Sequence, residues 1–254
     1  MSIADTPIRD LVFPLILAEK VGEDEIIMVS FLGTGFLIGS KGYALTAAHV
    51  VDLQTKPNQA IVGLFIDKTT NQWTVHNSDT CDTHPSEDVA LLKMRGEHWE
   101  ETTIKVSFEK QFASFDYKLF GYPNANLLED VDSRDSAGRV LGRPDLIYSA
   151  GHIRRRVSFS MPAIKGRCFY ELSQPVGAGC SGSPIFTTRD GLWDVVGIYV
   201  ADKTVSVSFE TYNKKLDWVI ETIEMPGALA YAVRMDDLSN WIPKELGVTL
   251  DNAP

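Results

Sequence analysis

The residues best suited to covalent chemistry lie in the turn Gly179–Pro184, which reads Gly-Cys-Ser-Gly-Ser-Pro. A serine hydroxyl is a weak nucleophile at neutral pH, so it needs a base beside it to attack a carbonyl carbon. It also needs backbone N–H groups directed at the oxyanion that this attack creates. The glycines around Ser181 permit the backbone dihedrals that turn such N–H groups inward. The turn therefore indicates acyl transfer, and it predicts that a histidine and a carboxylate lie in suitable settings elsewhere.

Two other segments supply those groups. His49 follows the small residues of Thr46–Ala48, which leave room for the imidazole to be held without crowding. Asp88 begins an apolar run that continues to Leu92, so its carboxylate is expected to be partly buried and hydrogen-bonded. Considered alone, His49 would be interpreted as a core histidine at a strand end. Asp88 would be interpreted as an aspartate that binds its own backbone. Their occurrence together with the serine turn favours the catalytic interpretation.

The composition is that of an ordinary folded protein. A chain of 254 residues, 44% hydrophobic and 23% charged, can bury a substantial core as one large all-β domain or two small lobes. The net charge of -10 argues against nucleic acid as a partner. The 3 cysteines form no CxxC pair or Cys/His cluster, so neither a disulfide framework nor a metal site is expected, and no cofactor is expected.

The start of the chain has no basic targeting segment, and the apolar run at residues 11–18 is too short to span a bilayer. These features predict a cytoplasmic protein with no membrane partner.

Short strand signals at regular spacing fill most of the chain. Apolar, β-branched runs between polar or glycine-containing turns predict strands. They lie at 11–18, 26–29, 33–39, 43–46, 61–66, 73–76, 88–93, 104–107, 117–120, 147–150, 156–159, 168–172, 183–187, 193–200 and 231–233. This pattern is typical of a β-barrel protein.

Three segments depart from that pattern. Residues 124–145 are polar and predict a long surface loop. Residues 214–223 carry apolar side chains at helical spacing and predict a helix. Asp236 is expected to cap an amphipathic C-terminal helix that buries Leu238, Trp241 and Ile242.

The segments Thr46–His49, Asp88–Leu92 and Gly179–Pro184 resemble the three signatures of trypsin-like serine proteases of the chymotrypsin fold. They occur in that family's chain order of histidine, aspartate and serine. The resemblance runs from about Gly33 to Val200, and residues 231–233 resemble the end of bacterial HtrA/Deg-type trypsin domains, here without a following PDZ domain.

The family fold implies one trypsin-like peptidase domain over residues 1–254, built from two six-stranded antiparallel β-barrels. We expect the N-terminal barrel at 11–110, the C-terminal barrel at 111–235, and a C-terminal helix and tail at 236–254.

The resemblance also implies a role for each residue of the triad. Ser181 is the nucleophile, His49 is the general base and later the acid, and Asp88 orients the imidazole. The N–H groups of Gly179 and Ser181 form the oxyanion hole. The expected activity is that of an intracellular serine endopeptidase acting on protein or peptide substrates. The alternative is a catalytically silent or partner-activated binding module on the same fold.

Cys180 is a rival nucleophile, because related viral proteases use cysteine in this fold. The register of the turn favours Ser181, which has Gly179 two positions before it and Gly182 directly after it, whereas Cys180 would have Ala178 two positions before it. Ser183 replaces the glycine that the family often carries before the proline, a change also seen in similar glutamyl endopeptidases.

In this family, the residue six positions before the nucleophile sets the base of the primary specificity pocket. Here that residue is Pro175, followed by Val176, and neither can pair with a cation. Tyr199 falls about where the similar glutamyl endopeptidases carry a histidine. Burying an unpaired substrate charge is costly, so we expect a small or modest apolar side chain rather than lysine or arginine. Asp202, near the rim, is the group able to attract a basic residue.

Overall fold

The structure is a computed structural model that describes residues 8–22, 26–67, 73–96, 99–123, 127–134, 140–189, 192–212 and 218–254. Within these ranges the backbone is mostly β-strand. The strands are β1 (Val12–Lys20), β2 (Ile26–Ile38), β3 (Tyr43–Thr46), β4 (Gln59–Ile66), β5 (Trp73–Thr83), β6 (Ala90–Met94), β7 (Lys105–Val106), β8 (Asp116–Gly121), β9 (Leu127–Arg134), β10 (Val140–Pro144), β11 (Ile147–Ser158), β12 (Cys168–Leu172), β13 (Pro184–Arg189), β14 (Leu192–Tyr212) and β15 (Trp218–Arg234). One helical turn, α1 (Ala48–Val51), follows β3. No helix in these ranges has the length and apolarity needed to cross a bilayer.

The first six strands close into a barrel with the order β1-β2-β3-β6-β5-β4. Closure is complete because β1 pairs antiparallel with both β2 and β4. Large apolar side chains fill the barrel. Phe13 is fully buried, and its ring lies 4.5 Å from that of Phe65, centroid to centroid. Because α1 leaves directly from the end of β3, His49 lies at the rim of this barrel.

A second ring contains β8, β11, β12, β15, β14 and β13, and it is closed by the pairing of β13 with β14. β7 lies within the range expected for the first barrel, but it adds to this second sheet, parallel to β14. The prediction of two six-stranded barrels is confirmed.

The part of β14 that lies in the second ring is buried on both faces. Along β14, Val196 and Tyr199 belong to a cluster made only of second-ring side chains, which is the interior of the ring. Val195, Ile198 and Val200 belong instead to the large cluster shared with the first barrel. Successive side chains of a strand point to opposite faces, so a strand buried on both sides must be apolar at nearly every position.

The prediction of a C-terminal α-helix is wrong. Residues 235–254 are all described, and they contain two short 3₁₀ turns, Met235–Leu238 and Leu250–Asn252. Leu238 and Trp241 are buried as expected, whereas Ile242 is 57% exposed. Pro243 follows directly, and proline cannot donate the backbone hydrogen bond that a helix interior needs.

The C-terminal residues instead lie along the first barrel. The Tyr43 hydroxyl donates to the Glu245 carbonyl oxygen at 3.1 Å, and the Ser40 N–H donates to that of Pro254 at 2.8 Å. Asp236 caps no helix. Its carboxylate accepts hydrogen bonds from the Arg156 guanidinium at 2.6 Å and from the Tyr170 hydroxyl at 3.0 Å.

The helix predicted at 214–223 is also wrong over its described part. Residues 213–217 lie outside the described ranges, but β15 starts at Trp218 and pairs with β14 through Tyr212. The outer halves of these strands, residues 204–212 and 218–226, form a long hairpin that we call the arm. Its ladder puts Val205 opposite Met225 and Val207 opposite Ile223. The alternating β-branched residues of the arm favour a strand, although their spacing also matches that of a helical face.

The polar segment predicted as a surface loop contains the two-stranded sheet β9–β10. Residues 124–126 and 135–139 of that segment lie outside the described ranges.

Candidate active site

His49 and Asp88 form a closely coupled pair. The Nδ1 atom of His49 lies 2.5 Å from Oδ2 of Asp88, and the His49 backbone N–H donates to Oδ1 at 2.9 Å. The Asp88 side chain is 1% exposed, whereas that of His49 is 29% exposed. Because both carboxylate oxygens hold the same residue, the imidazole is fixed in orientation. Its Nε2 atom is left for proton transfer.

The serine turn has the backbone conformation expected of a glycine-rich turn. Gly177, Gly179 and Gly182 have φ angles of 97°, 94° and 91°, values that residues with a side chain rarely adopt. The Ser181 hydroxyl donates to the Val200 carbonyl oxygen at 3.0 Å. Ser181 and His49 are both described, and their side chains do not hydrogen-bond to each other. The structure therefore shows the hydroxyl bound to β14 and not to the imidazole.

The turn is fastened to the first barrel by Thr34, a fully buried residue of β2. The Thr34 N–H donates to the Ser181 carbonyl oxygen at 2.8 Å, and its hydroxyl donates to the Gly179 carbonyl oxygen at 3.1 Å. The same hydroxyl accepts a bond from the Tyr122 N–H at 3.0 Å. The Thr46 hydroxyl in turn donates to the Thr34 carbonyl oxygen at 2.7 Å. Through these bonds one residue, Thr34, connects the strand before His49 to the turn that carries Ser181.

Two glycines allow this close approach. A Cβ atom on Gly33 would lie 2.8 Å from both the Ser181 carbonyl oxygen and a methyl carbon of Val50. A Cβ atom on Gly182 would overlap the Thr34 carbonyl oxygen. Since Val50 is the neighbour of His49 on α1, these contacts bring the serine turn against the segment that carries the histidine. We call this contact the barrel interface: Gly33, Thr34 and Glu87 on the first-barrel side, and Gly121, Gly166 and Gly179–Gly182 on the other.

The predicted oxyanion-hole donors are also present. Within the described part of the chain, the N–H groups of Gly179 and Ser181 donate to no protein acceptor, whereas that of Gly182 donates to the Tyr199 carbonyl oxygen at 2.8 Å. The two N–H groups on either side of Cys180 are therefore available to donate to a substrate oxygen. This arrangement suits stabilisation of an oxyanion beside Ser181.

Cys180 has the properties of a structural residue. It is fully buried in the interior cluster of the second ring. Burial, and to a smaller extent the negative charge of Asp202, raises the pKa of its thiol to about 12. The thiolate is the reactive form of cysteine, so this cysteine is poorly suited to be the nucleophile.

Ser183 is fully buried, and its hydroxyl has no hydrogen-bond partner among the described residues. A Cβ atom on Gly121 would overlap this hydroxyl. Glycine at position 121 therefore leaves the space that the serine occupies.

The residues predicted to line the specificity pocket lie together. Pro175 and Val176 are partly buried, and Tyr199 is 1% exposed. The Tyr199 hydroxyl accepts a bond from the Val176 N–H at 3.2 Å and donates to the Asp202 carboxylate. Burial and the Asp202 charge raise the pKa of Tyr199.

Asp202, expected at the rim, is bound to the loop that precedes the nucleophile. Its carboxylate accepts the N–H groups of Val176 at 3.2 Å and Gly177 at 2.9 Å, as well as the Tyr199 hydroxyl.

Sequence reasoning missed two residues of the barrel interface. Thr34 was interpreted only as part of a strand, although its position between two glycines allows a close backbone approach. Glu87, adjacent to Asp88, is 9% exposed, and its Oε2 atom has no partner among the described residues. A Cβ atom on Gly166 would overlap this oxygen. Nothing in the local sequence distinguishes Glu87 from an exposed loop glutamate.

One cavity lies at the candidate site, and a larger one lies away from it. One of about 300 Å³ lies beside His49 and Asp88 and also contacts Ala163 and Lys165. A larger one, about 600 Å³, lies at the other end of β1, and Lys20 is the charged residue among those described as lining it. The smaller cavity is the one next to groups able to perform acyl transfer.

The two-barrel fold and the histidine–aspartate pair beside a glycine-rich serine turn define a trypsin-like peptidase domain. Residues 33–198, more than half of the chain, match the family described as "Trypsin-like peptidase domain". The chain belongs to that family.

Among solved structures, the chain is similar to the MamO protease domain from Magnetospirillum magneticum in its apo form. The two share 15% identity with a TM-score of 0.54, over 90% of this chain and 94% of that chain. Likeness at this identity shows the fold alone. A comparison with curated protein sequences finds no significant match.

Proposed function

We propose that this protein is a serine endopeptidase that hydrolyses peptide bonds through Ser181, His49 and Asp88. The observation that carries the proposal is the bidentate hold of Asp88 on His49, through Nδ1 at 2.5 Å and the backbone N–H at 2.9 Å. Such a hold fixes the tautomer that leaves Nε2 free to accept a proton, and it stabilises the imidazolium that forms.

The proposed reaction has two halves. The Ser181 hydroxyl gives its proton to His49 Nε2 while Oγ bonds to the carbonyl carbon of the substrate. The carbonyl oxygen becomes an oxyanion held by the N–H groups of Gly179 and Ser181. His49 then returns the proton to the leaving amine, which breaks the C–N bond and leaves an acyl-enzyme. In the second half, a water molecule gives a proton to His49 Nε2 while its oxygen bonds to the acyl carbon. The ester bond to Ser181 then breaks as His49 returns the proton to the serine oxygen, which releases the acid product.

One rotation must precede this reaction. The Ser181 hydroxyl donates to the Val200 carbonyl oxygen in the structure, so the side chain has to rotate before the hydroxyl can donate to His49. Rotation between staggered serine rotamers is a local change that needs no backbone movement.

The same hydrogen bond favours the second candidate, a catalytically silent or partner-activated module. If the hydroxyl stays on Val200, the serine is not activated, and an activating partner protein would be needed to release it. The two candidates therefore predict different reactivity for the chain on its own.

Three finer statements belong to this proposal. The segment Tyr231–Val233, which lies in β15, supports kinship with HtrA/Deg-type trypsin domains. The substrates are proteins or peptides, in keeping with the trypsin-like peptidase family to which the chain belongs. A cytoplasmic location is proposed, since the 3 cysteines form no CxxC pair or Cys/His cluster and suit a reducing compartment.

The deciding experiment is labelling of the purified chain with a fluorophosphonate, followed by mass spectrometry of the modified peptide. We expect the label on Ser181, its loss in Ser181→Ala, and its retention in Cys180→Ala. Thermal unfolding of each variant is the control for folding. Labelling that disappears with Cys180 and survives in Ser181→Ala would refute the nucleophile. No labelling of the chain alone, followed by labelling after addition of a binding partner, would favour the second candidate.

A further inference from the structure

The crevice beside the nucleophile is closed by side chains of this chain itself. It lies between the loop Pro175–Gly179 and the β14 segment Tyr199–Asp202. The two walls are linked by backbone bonds at the serine turn: the Gly182 N–H donates to the Tyr199 carbonyl oxygen at 2.8 Å, and the Tyr199 N–H donates to that of Ser183 at 2.9 Å. Any side chain that enters the crevice has to fit between these fixed walls.

Tyr199 fills the inner part of this space. Its ring belongs to the interior cluster that also holds Cys180 and contacts Val176. At 1% exposed, it leaves no open surface at the base of the crevice. The Val176 N–H bonds its hydroxyl at 3.2 Å, so the ring spans from one wall to the other.

Asp202 crosses the outer part. Its Oδ1 accepts the Val176 N–H at 3.2 Å and its Oδ2 accepts the Gly177 N–H at 2.9 Å. Hydrogen bonds to a carboxylate are stronger than those between neutral groups, and the Tyr199 hydroxyl adds another. Because these hydrogen bonds hold it, the Asp202 carboxylate lies across the opening. We call it the strut.

A substrate positions its side chain in this same space. When Ser181 Oγ bonds to the carbonyl carbon and the oxygen lies at the N–H groups of Gly179 and Ser181, both walls flank the residue before the cleaved bond. Val200, whose carbonyl oxygen holds the serine hydroxyl at 3.0 Å, lies between Tyr199 and Asp202 on the opposite wall. A substrate side chain that enters between the two walls would meet the Asp202 carboxylate.

We propose that Asp202 and Tyr199 restrict the residue before the cleaved bond to glycine or alanine, with Asp202 as the removable part of the barrier. This inference rests on the proposed peptidase function and goes further, because it assigns the substrate class to named side chains. It also changes the expected role of Asp202: its hydrogen bonds to the loop hold its carboxylate across the opening, where it limits the size of the entering side chain.

The test uses peptidyl diphenyl phosphonates that differ only in the residue beside phosphorus: glycine, alanine, leucine, phenylalanine or lysine. Inactivation rates are followed by intact mass. We expect the wild-type chain to react with the glycine and alanine compounds at least 100-fold faster than with the other three. Comparable rates for leucine, phenylalanine or lysine would overturn the proposal.

Asp202→Gly removes the strut and should reduce that preference over leucine at least tenfold. Lys203→Gly is the matched control, since it puts glycine at the next position of β14 and touches no wall of the crevice. It should leave the preference unchanged. If the Asp202→Gly variant does not fold, Asp202→Ala also lacks the carboxylate and should show the same change. An unaltered preference in a folded Asp202 variant would contradict the proposal.

A small dialkyl fluorophosphate separates this inference from the proposed function, because it carries no side chain for the crevice. If it labels Ser181 while the phosphonates show no preference for small residues, only the inference fails. If it labels neither the wild-type chain nor the Asp202 variants, both fail. If only the Asp202 variants react with the phosphonates, Asp202 excludes glycine and alanine as well, and the proposed restriction to small residues is wrong.

Discussion

The barrel interface and the arm are both formed by strands or the turns beside them, yet their surroundings are opposite. At the interface, Thr34 is fully buried, and its N–H and hydroxyl are hydrogen-bonded across a contact so close that Gly182 has no room for a Cβ atom. On the arm, apolar side chains such as Val207 and Ile220 are 43% and 69% exposed. Their neighbours are mainly those of the opposite strand.

The difference shows where position matters more than residue type. At the interface, one added Cβ atom is enough to keep the two barrels from making contact. A close-packed interior has no space for it and transmits the displacement to its neighbours. On the arm, the requirement is only that strands pair, and many β-branched or aromatic residues meet it. We therefore expect sensitivity to substitution to fall steeply from the interface to the arm.

The largest effect is expected from Gly182→Ala compared with Gly177→Ala. Both glycines have positive φ, 91° and 97°, so alanine pays a similar backbone cost at either position. A Cβ atom at 177 meets nothing within 4 Å, whereas one at 182 overlaps the Thr34 carbonyl oxygen. We expect about 1–2 kcal/mol of destabilisation at 177 and more than about 4 kcal/mol at 182, measured by urea unfolding. Equal losses would mean that the barrels do not meet at Gly182.

Thr34→Val tests the hydrogen bonds of the interface without changing its shape. Valine keeps the volume of threonine but leaves the Gly179 carbonyl oxygen and the Tyr122 N–H without their partner. Leaving buried polar groups unpaired should cost roughly 2–4 kcal/mol of stability. Labelling of Ser181 should also slow, since the turn loses an anchor. Thr34→Ser restores the hydroxyl, and it should recover the labelling rate even though a methyl group is missing. Failure of serine to recover that rate would show that packing, not hydrogen bonding, positions the turn.

Most of the fold could be predicted from sequence because strands buried on both faces must be continuously apolar. Such strands can be recognised in the sequence as apolar runs. The run at 193–200 is one example, and it lies within β14. The candidate site could also be predicted from the sequence, but for a different reason. Histidine, aspartate and a serine between glycines have few structural uses in common, so their joint occurrence carries more information than any one of them.

The errors have physical causes. On the arm, Val219, Ile220 and Ile223 fit both a helical face and a strand ladder, and the pairing with β14 that decides between them is a contact distant in sequence. At the C-terminus, Asp236 had the right identity for a cap, but Arg156 and Tyr170 from remote strands bind its carboxylate. Glu87 could not be recognised because its burial depends on Gly166, far along the chain.

Glu87→Gln should change how stability depends on pH. Burial and the nearby Asp237 carboxylate raise the pKa of Glu87, although backbone N–H groups of Cys168 and Arg167 act in the opposite direction. The folded state therefore holds this proton more tightly than the unfolded state. Its contribution to stability is complete below the unfolded pKa, about 4.3, and is lost as pH rises through the higher folded value.

We expect the wild-type melting temperature to fall relative to that of Glu87→Gln as pH rises from 4 to 7. Glu224→Gln, an exposed glutamate on the arm, is the matched control and should run parallel to the wild type. Parallel curves for all three proteins would show that Glu87 is solvated rather than buried at the interface.

The smallest effect is expected on the arm, from Val207→Thr. Threonine has nearly the shape of valine and replaces one methyl group with a hydroxyl. The change in stability therefore shows whether water reaches the side chain at this position. Val207 is 43% exposed, and water can solvate the new hydroxyl, which should keep the change in stability within about 0.5 kcal/mol. Val196→Thr is the matched control on the same strand. It is 1% exposed in the interior of the second ring, where an unpaired hydroxyl should cost roughly 1–3 kcal/mol. Urea unfolding measures both, and labelling of Ser181 should be unchanged in Val207→Thr. If Val207→Thr is as destabilising as Val196→Thr, the arm's apolar face is covered in solution, and the contrast between interface and arm is lost.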